Sequence, residues 1–301
     1  ITRHGTAAAA HARHEVMDGG LLGAVLGHRR AGGVADGQRY GGRDVDNGTF
    51  VTAGLVLRET ETKESDKILT VLTPELGRIS VIAKGARSRR SKYTAACQLL
   101  AYDEMTLRRK GEWHYLAEAN TIELFDGVRQ DIERLALAAY FAELTEAVCQ
   151  DAMAAAEILP LLLNALFALG TLGKEPRLVK TAFVWRLMEA AGFAPLVDGC
   201  AVCGREMPEA PMLDVMQGVL RCGGCRLSGG GLSLPLTESA VQALRYILCC
   251  PPKRLYGFTL GARDMRMLDR AGEAFCAVQL ERGFRTLDYY KAFLSAEEDA
   301  E

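Results

Sequence analysis

Hydrophobic and polar residues alternate along five short segments in the first half of the chain. The segments are Thr52–Arg58, Lys67–Leu72, Arg78–Ala83, Tyr102–Arg108 and Tyr115–Leu124. Alternation with a period of two is typical of strands that bury one face. Turn-forming residues separate the segments, as at Pro74–Gly77 and Lys110–Gly111. Short strands so closely spaced predict a small barrel or sandwich.

Beyond Asp126 the apolar residues recur with the spacing of helices. The predicted helices are Asp131–Val148, Glu157–Leu172, Pro176–Ala191, Thr237 to about Leu248, and one long final helix within Arg266–Phe293. Pro176 in a first turn and Gly192 after a last turn are the expected start and stop signals. The chain is therefore predicted to be an α+β multidomain protein, with a β-barrel followed by helices.

Residues 1–50 show little patterning of either kind. They hold 11 of the 31 glycines, four of the five histidines and no lysine. This composition predicts a disordered or non-native extension, with Val51 near the start of the folded chain. The alternative interpretation is metal binding by His4, His11 and His14.

Four of the nine cysteines form two Cys-x-x-Cys pairs, Cys200/Cys203 and Cys222/Cys225, with 18 residues between them. This spacing predicts one zinc ion per chain, and four thiolate ligands indicate a closed structural site because catalytic zinc keeps a position for water. Met212–Val215 and Val219–Arg221 are predicted to form the hairpin of a zinc ribbon. Redox-active dithiols and metal-free thiols are the alternatives. The other five cysteines are predicted to be packing residues, namely Cys97, Cys149, Cys249, Cys250 and Cys276.

Residues 76–102 contain six lysines or arginines and no acidic residue. They are Arg78, Lys84, Arg87, Arg89, Arg90 and Lys92, and a nearby turn adds Arg108, Arg109 and Lys110. A long basic loop on a small barrel is suited to neutralising the phosphates of a nucleic acid. The alternative is a solvated loop without a ligand. Trp113, Tyr115 and Tyr93 are candidates for base stacking, or equally for the rim and core of the barrel.

Several classes of function lack their motifs in this sequence. The sequence contains no phosphate-binding G-x-x-x-x-G-K-[ST], no G-x-S-x-G and no H-E-x-x-H. It also has no apolar run of about 18 residues, so no membrane span is expected. An odd number of cysteines favours a reducing compartment. We therefore expect a cytoplasmic protein without a catalytic centre.

Two stretches carry a resemblance to a known family. ESDKILTVLTPELGRISVIAKGARSRRSK (Glu64–Lys92) precedes a helical block that ends in FVWRLMEAAGFAPLVDGCAVCG (Phe183–Gly204). In this order they resemble the RecO family of bacterial recombination mediators, and the resemblance covers about Val51–Phe293. Residues 1–50 depart from it, because the family usually begins at about Val51.

The resemblance implies an N-terminal OB-fold, a helical domain and an embedded zinc module. It implies a non-enzymatic protein near the nucleoid that binds single-stranded and duplex DNA and anneals complementary strands. With RecR it would help load RecA onto DNA coated by single-stranded DNA-binding protein (SSB), and RecF is a further candidate partner. The basic family motif falls on Lys84, Arg87, Arg89, Arg90 and Lys92. The metal ligands fall on Cys200, Cys203, Cys222 and Cys225, although some family members lack them.

The acidic, Phe-ended tail of SSB is expected on the helical domain, near Lys180 and Arg186. The expected division is an extension at 1–50, the OB-fold at 51–127, helices at 128–199, the zinc module at 200–232, closing helices at 233–295 and an acidic tail at 296–301. Two other functions stay open. One is a protein adaptor whose basic loop meets acidic tails, and the other is a zinc enzyme.

Overall fold

The predicted strands close into a barrel in the computed structural model of the chain, which describes residues 48–63, 65–149, 155–229 and 231–298. The strands are β1 (Thr49–Thr62), β2 (Asp66–Thr73), β3 (Gly77–Ala83), β4 (Tyr102–Lys110) and β5 (Trp113–Glu123). They follow the order β1-β2-β3-β5-β4, and β4 pairs with β1 to close the barrel. Only β3 and β5 run parallel. Of the barrel and the sandwich that the alternation left open, the barrel is confirmed, and it is OB-like as the resemblance implied.

Alternate residues of each strand fill the interior of this barrel. Leu69 and Val71 of β2 and Met105 and Leu107 of β4 are fully buried in the barrel core. Thr70 lies between the first two on the other face, where it is buried and accepts a hydrogen bond from Arg58, and Thr106 between the second two is half-buried. This pattern is the reason that a period of two was readable in the sequence. The barrel core continues into the segment after the basic residues, where Cys97 is also fully buried.

The second half of the chain is helical. Its helices are α1 (Asp126–Arg129), α2 (Ile132–Val148), α3 (Ile158–Gly170), α4 (Pro176–Ala190), α5 (Glu238–Cys249), α6 (Ala262–Gln279) and α7 (Arg285–Glu298), with a 3-10 turn at Pro252–Arg254. Glu175 caps α4 by accepting hydrogen bonds from the amides of Arg177 and Leu178. Thr237 caps α5 in the same way through Ala240.

Aromatic side chains form the centre of the helical core. Phe141 of α2 lies against Phe183 of α4 at 4.3 Å between ring centroids, and Trp185 lies against Phe275 of α6 at 5.2 Å. These four side chains are almost completely buried. These large rings therefore form the contacts by which α4 packs against α2 and α6.

The cysteine segment lies between α4 and α5 and forms a small sheet. Strands β6 (Met212–Asp214) and β7 (Val219–Arg221) make the predicted hairpin. A third strand, β8 (Ser233–Pro235), pairs with the other edge of β6 and was not predicted. Its three residues are too few to show a period.

Two further predictions need correction. The single final helix is two helices, α6 and α7, separated at residues 280–284, where Glu281 has a positive φ of 51°. Cys249 is exposed and is not a packing residue, whereas Cys97, Cys149, Cys250 and Cys276 are buried as predicted. The barrel begins at Thr49, two residues before the expected start, and residues 46–301 form one compact unit. The expectations for residues 1–47 lie outside the described residues.

Candidate nucleic-acid interface and metal centre

Three connections of the barrel lie at one end, which we call the loop end. They are the β1–β2 turn, the basic loop (Lys84–Lys92) after β3, and the β4–β5 turn. The strand register places them together through the pairs Thr62–Asp66, Lys67–Ala83, Ile82–Tyr115 and Lys110–Trp113. The two basic stretches of the sequence therefore meet at the loop end, which is also where barrels of this type bind oligonucleotides.

Local hydrogen bonds hold the start of the basic loop against the β1–β2 turn. The Asp66 carboxylate accepts a hydrogen bond from the Gly85 amide at 2.8 Å, and the Ser65 carbonyl accepts one from the Arg87 amide at 2.9 Å. Gly85 has a φ of 65°, which a residue with a Cβ rarely adopts. Ala86 is buried in the barrel core. The loop is thus anchored at its base and exposed at its tip.

The stretch Ser65–Lys67 is therefore an anchoring element, a role that sequence reasoning missed. Lys67 donates to the Cys97 carbonyl at 3.2 Å and pairs with Glu59. Together with Ser65 and Asp66 it holds both sides of the basic loop. The available signal was a polar run with an acid between two strands, which is frequent at turns that bond their own backbone.

The cations of the basic loop differ in how they are engaged. Lys84 lies over the Tyr115 ring at 5.3 Å, and Lys92 lies over the Tyr93 ring at 5.0 Å. Arg87 pairs with Glu61 at 2.9 Å. Among the described residues, the exposed side chains of Arg89 and Arg90 have no hydrogen-bond or ion-pair partner. These two guanidinium groups are the cations of the loop that are most available to a ligand.

The β4–β5 turn adds a second group of cations. Arg108, Arg109 and Lys110 are all exposed, and Arg109 donates to the Gly111 carbonyl at 3.3 Å. Trp113 follows at the start of β5 with 48% of its surface exposed. The predicted grouping of both basic stretches is therefore present in three dimensions.

Arg78 lies at the other end of β3 from the basic loop. Its guanidinium donates to the Glu146 carbonyl of α2 at 2.9 Å. The same glutamate forms an ion pair with Arg58 at 2.9 Å. These contacts join the barrel to the helical region, so Arg78 is separated from the other predicted DNA-binding cations.

The four cysteine sulfurs converge at the base of the small sheet. They all lie within 4.8 Å of one another, and the sulfurs of Cys203 and Cys222 are 3.8 Å apart. Tetrahedral zinc with Zn–S bonds of about 2.3 Å separates its sulfurs by about 3.8 Å. The four thiols therefore fit a zinc ion both in chemistry and in spacing.

Backbone amides surround these sulfurs. The Cys222 amide donates to the Cys200 sulfur at 3.3 Å, and the Glu209 amide donates to the Cys222 sulfur at 3.4 Å. Burial alone would raise the pKa of Cys200, but amide hydrogen bonds outweigh it and lower the pKa to about 6. Gly204, with a φ of 73°, permits the tight turn after the first pair. Such amide–sulfur bonds stabilise thiolate ligands.

The buried cysteines outside this cluster are poorly suited to redox chemistry. Burial raises the pKa of Cys97 to about 12 and that of Cys149 to about 11. Thiols in apolar surroundings stay protonated and are inert. His114 packs edge-on against Phe50 in the barrel at 5.8 Å between ring centroids, so this imidazole belongs to the barrel and not to the cysteine cluster.

Lys180 and Arg186 were predicted to lie near the binding site of a partner protein. Both form ion pairs or hydrogen bonds within the chain. The Lys180 ammonium pairs with Asp269 at 2.9 Å and with Glu273, and it is almost completely buried. Arg186 donates to the carbonyls of Ile247, Leu248 and Cys250 at the end of α5. Of these two residues, Lys180 lines a cleft in the helical region and Arg186 does not line it.

That cleft has a volume of about 430 Å³ and lies between α4, α6 and α7. Five cations and two acids line it, together with Tyr290 and Leu294. The cations are Arg177, Lys180, Arg266, Arg270 and Lys291, and the acids are Asp269 and Glu273. Arg266 and Arg270 are exposed and, among the described residues, have no ion-pair partner. The cleft is thus suited to an anionic ligand.

Within the described ranges, no helix is both long enough and apolar enough to cross a bilayer.

Comparison with known proteins finds a family match for both the barrel and the helical region. A family model described as recombination protein O N terminal matches residues 49–125, and one described as recombination protein O C terminal matches residues 129–288. A DNA repair protein RecO of Acetivibrio thermocellus is 30% identical over 240 residues, which are 80% of this chain and 95% of that protein. Another, of Symbiobacterium thermophilum, is 28% identical over 247 residues, 81% of this chain and 97% of that protein.

An OB-like barrel with a cationic loop end, joined to a helical region that carries a four-cysteine module, defines a class of multidomain α+β proteins. The two family models match nearly the whole of both regions. The chain belongs to the RecO family of DNA repair proteins, as the resemblance in its sequence implied.

Proposed function

We propose that this protein is a non-enzymatic recombination mediator that works on DNA in the cytoplasm. It binds single-stranded and duplex DNA at the loop end of the barrel and anneals complementary strands. With RecR it promotes the loading of RecA onto single strands coated by SSB, and RecF is a further candidate partner. Membership of the RecO family supports this assignment.

The observation that carries the DNA-binding part is the meeting of two cationic stretches at one end of the barrel. Arg89 and Arg90 extend from the basic loop, and Arg108 and Lys110 extend from the β4–β5 strands. Cations that lack internal partners lose little when they contact phosphate. Each contact also releases condensed counterions, which provides the driving force.

Annealing follows from how such a surface holds a strand. Arginine and lysine side chains contact phosphates and leave the base edges free. A bound strand is therefore neutralised along its backbone, and repulsion from a second strand is reduced. The complementary bases can then pair without any bond being made or broken by the protein.

Fluorescence anisotropy of a labelled single-stranded oligonucleotide, titrated with the full chain at several salt concentrations, tests this proposal. Replacing Arg89 and Arg90 by alanine removes two phosphate contacts. The plot of log affinity against log salt should flatten by about 1.4, at about 0.7 per contact on single strands.

A matched control changes the same charge on the helical region. Arg263→Ala with Arg285→Ala also removes two exposed arginines, but far along the chain from the loop end, and it should leave the slope unchanged. Equal slopes for both double variants and the parent chain would exclude the basic loop as the DNA site. Loss of partner binding instead of DNA binding would favour the adaptor function.

We further propose that Cys200, Cys203, Cys222 and Cys225 hold one structural zinc ion. When bound, the ion would act as a cross-link between the two ends of the β6–β7 hairpin, with no open position for catalysis. The cysteine residues themselves close two tight turns, in which Gly204 donates to the Cys200 carbonyl at 2.9 Å and Cys225 donates to the Cys222 carbonyl at 3.1 Å. The expected role is stability of the helical region.

The cleft between α4, α6 and α7 supports a second binding function. We propose it as the site of the acidic, Phe-ended tail of SSB. The exposed guanidinium groups of Arg266 and Arg270 would meet the carboxylates, and Leu294 would contact the terminal ring. The buried Lys180 forms the floor through its pair with Asp269. Arg186, whose donors are used at the end of α5, stays outside this revised site.

A fluorescent peptide with an acidic sequence and a C-terminal phenylalanine tests the cleft. Arg266→Ala with Arg270→Ala should weaken its binding at least tenfold, because two charge-assisted contacts are lost. The Arg89/Arg90 double variant is the control and should bind the peptide normally. The reverse pattern would move the acidic tail to the barrel.

A further inference from the structure

We propose that Trp113 stacks on a nucleobase and gives the loop end its preference for single strands. This inference rests on the proposed DNA-binding function. The indole is 48% exposed, although an apolar side chain of this size is normally buried. It stands at the tip of the β4–β5 hairpin, among the cations that would hold phosphates.

The strand register sets the neighbours of this indole. Trp113 is paired directly with Lys110, and Tyr115 is paired with Arg108. Residues two apart on a strand share a face, so these four side chains lie on the outer surface of the barrel. Leu107 and Leu116, on the opposite face of the same strands, are buried inside. The outer face thus alternates cations with aromatic rings, as in platforms that bind single strands.

The other two aromatic candidates are already occupied. Lys84 lies over the ring of Tyr115 at 5.3 Å. Lys92 lies over the ring of Tyr93 at 5.0 Å, and the Tyr93 hydroxyl donates to the Ala117 carbonyl. No such contact covers Trp113 among the described residues. The structure therefore selects one of three rings that the sequence left equivalent.

Stacking would give a preference for single strands over duplex DNA, which charge alone cannot give. Phosphates are present in single strands and duplexes alike, so the cations bind both. A base exposes its face to a side chain only when it is not stacked within a duplex. Glu112, next to Trp113 at the turn, adds a negative charge that keeps this tip from acting as one more phosphate contact.

The chain has a built-in reporter for this contact. It contains two tryptophans, and Trp185 is fully buried in the helical core, with its indole nitrogen donating to the Leu268 carbonyl at 3.2 Å. Quenching of tryptophan fluorescence by oligothymidylate should therefore come from Trp113. A duplex hairpin with the same number of phosphates should cause little quenching.

Three variants of the full chain complete the test. Trp113→Ala should bind oligothymidylate about tenfold more weakly, with an unchanged salt slope because no charge is lost, and should bind duplex normally. Trp113→Phe, which keeps a ring, should regain most of the affinity. Tyr289→Ala removes another exposed aromatic side chain, on α7, and should have no effect. Unchanged Trp185 emission reports that each variant is folded.

The outcomes separate this inference from the function on which it rests. If the parent chain binds with a steep salt slope but Trp113→Ala loses nothing on single strands, the stacking inference is wrong and DNA binding stands. Equal losses on single strands and duplex would also overturn it, since they would indicate a general phosphate surface. If the parent chain binds no DNA at low salt, both proposals fail.

Discussion

The two arginines at the tip of the basic loop and the two cations predicted for the partner site, Lys180 and Arg186, are engaged in opposite ways. Arg89 and Arg90 extend from the barrel without partners among the described residues. In the helical region Lys180 is buried between Asp269 and Glu273, and Arg186 is bonded to three carbonyls. The helical region also leaves Arg266 and Arg270 exposed at the cleft, so the contrast is between exposed and buried cations and not between the two regions as a whole. Charge count alone therefore does not identify a binding surface.

Burial explains the difference. A buried ammonium must have partners, because removing it from water costs several kcal/mol that only close opposite charges offset. An exposed guanidinium pays no such cost and can exchange water for phosphate. We therefore expect Lys180 and Arg186 to contribute to stability, and the exposed arginines of the loop end to be available for binding. Changes in the two regions should separate these properties, and three of them test the comparison.

The largest effect is expected from loss of the metal site. Cys222→Ser removes a buried thiol of the proposed zinc site, whose sulfur lies 3.8 Å from that of Cys203. Without four ligands the small sheet loses its cross-link, and we expect about 5 kcal/mol lower stability, a part of the 10–16 kcal/mol that zinc contributes to small domains. Zinc content and thermal unfolding of the full chain measure this change.

Cys249→Ser is the matched control because Cys249 is exposed and lies outside the cluster. It should change neither zinc content nor unfolding. The salt slope of DNA binding should stay the same in both variants at a temperature where they are folded. A parent protein without stoichiometric zinc would contradict the metal assignment, and a flattened slope for Cys222→Ser would show that the two regions are not separable.

The next effect concerns the buried ion pair. Lys180→Met leaves Asp269 and Glu273 without their central cation, although Arg177 still pairs with Asp269 at 3.9 Å and Lys291 with Glu273. Removing one partner of a buried pair costs about 3 kcal/mol, because the remaining charges stay buried. Burial already raises the pKa of Asp269, and Lys180 lowers it. Chemical unfolding at pH 7 measures the loss.

Combining Lys180→Met with Asp269→Asn and Glu273→Gln should restore most of this stability, since no buried charge is then unpaired and Arg177 and Lys291, which lose their acidic partners, are exposed to water. Arg263→Ala, an exposed change on the same helix as Asp269, should stay within about 0.5 kcal/mol of the parent. If Lys180→Met lowered the stability as little as this control, Lys180 would not stabilise the fold. The contrast between buried and exposed cations would then be wrong.

The partners of these cations also explain what the sequence could and could not predict. The strands, most helices and the zinc hairpin were readable because their signals are local: alternation, Pro176, Thr237 and the Cys-x-x-Cys spacing. The structural role of Lys180 could not be read from the sequence, because its partners Asp269 and Glu273 lie 89 and 93 residues away. The predicted partner site therefore included a lysine whose charge is neutralised inside the fold.

The break between α6 and α7 was missed for the same reason, because it depends on a residue distant in sequence. Glu143 of α2 accepts hydrogen bonds from the amide and hydroxyl of Thr286 and thereby caps α7 from 143 residues away. Gly283 was the available local signal for the break, but a single glycine does not always end a helix. At the barrel, the sequence predicted that the cations group together, but it could not tell which of them are already paired.

The last effect tests the reverse case, a buried charge in the barrel. Asp103 of β4 is fully buried, and neither carboxylate oxygen forms a hydrogen bond of good geometry, although Thr121, its neighbour on β5, lies close enough to oppose the effect of burial on its pKa. Burial raises the pKa of Asp103 from 3.8 to about 6. Because the folded pKa is the higher one, the protonated form stabilises the fold at low pH, and this stability is lost as the pH rises from about 4 to about 6. Above pH 6 the charge costs about 3 kcal/mol.

Asp103→Asn should therefore stabilise the protein by about 3 kcal/mol at pH 8, and the gain should shrink toward zero as the pH falls to about 4. Urea unfolding at both pH values measures it. Glu104→Gln, the neighbouring carboxylate on the outward face of β4, should change stability by less than about 0.5 kcal/mol at either pH. A gain that does not depend on pH would mean that Asp103 is neutral throughout. In that case Asp103 would not place a charge inside the barrel, and the contrast with the exposed charges at the barrel surface would be complete.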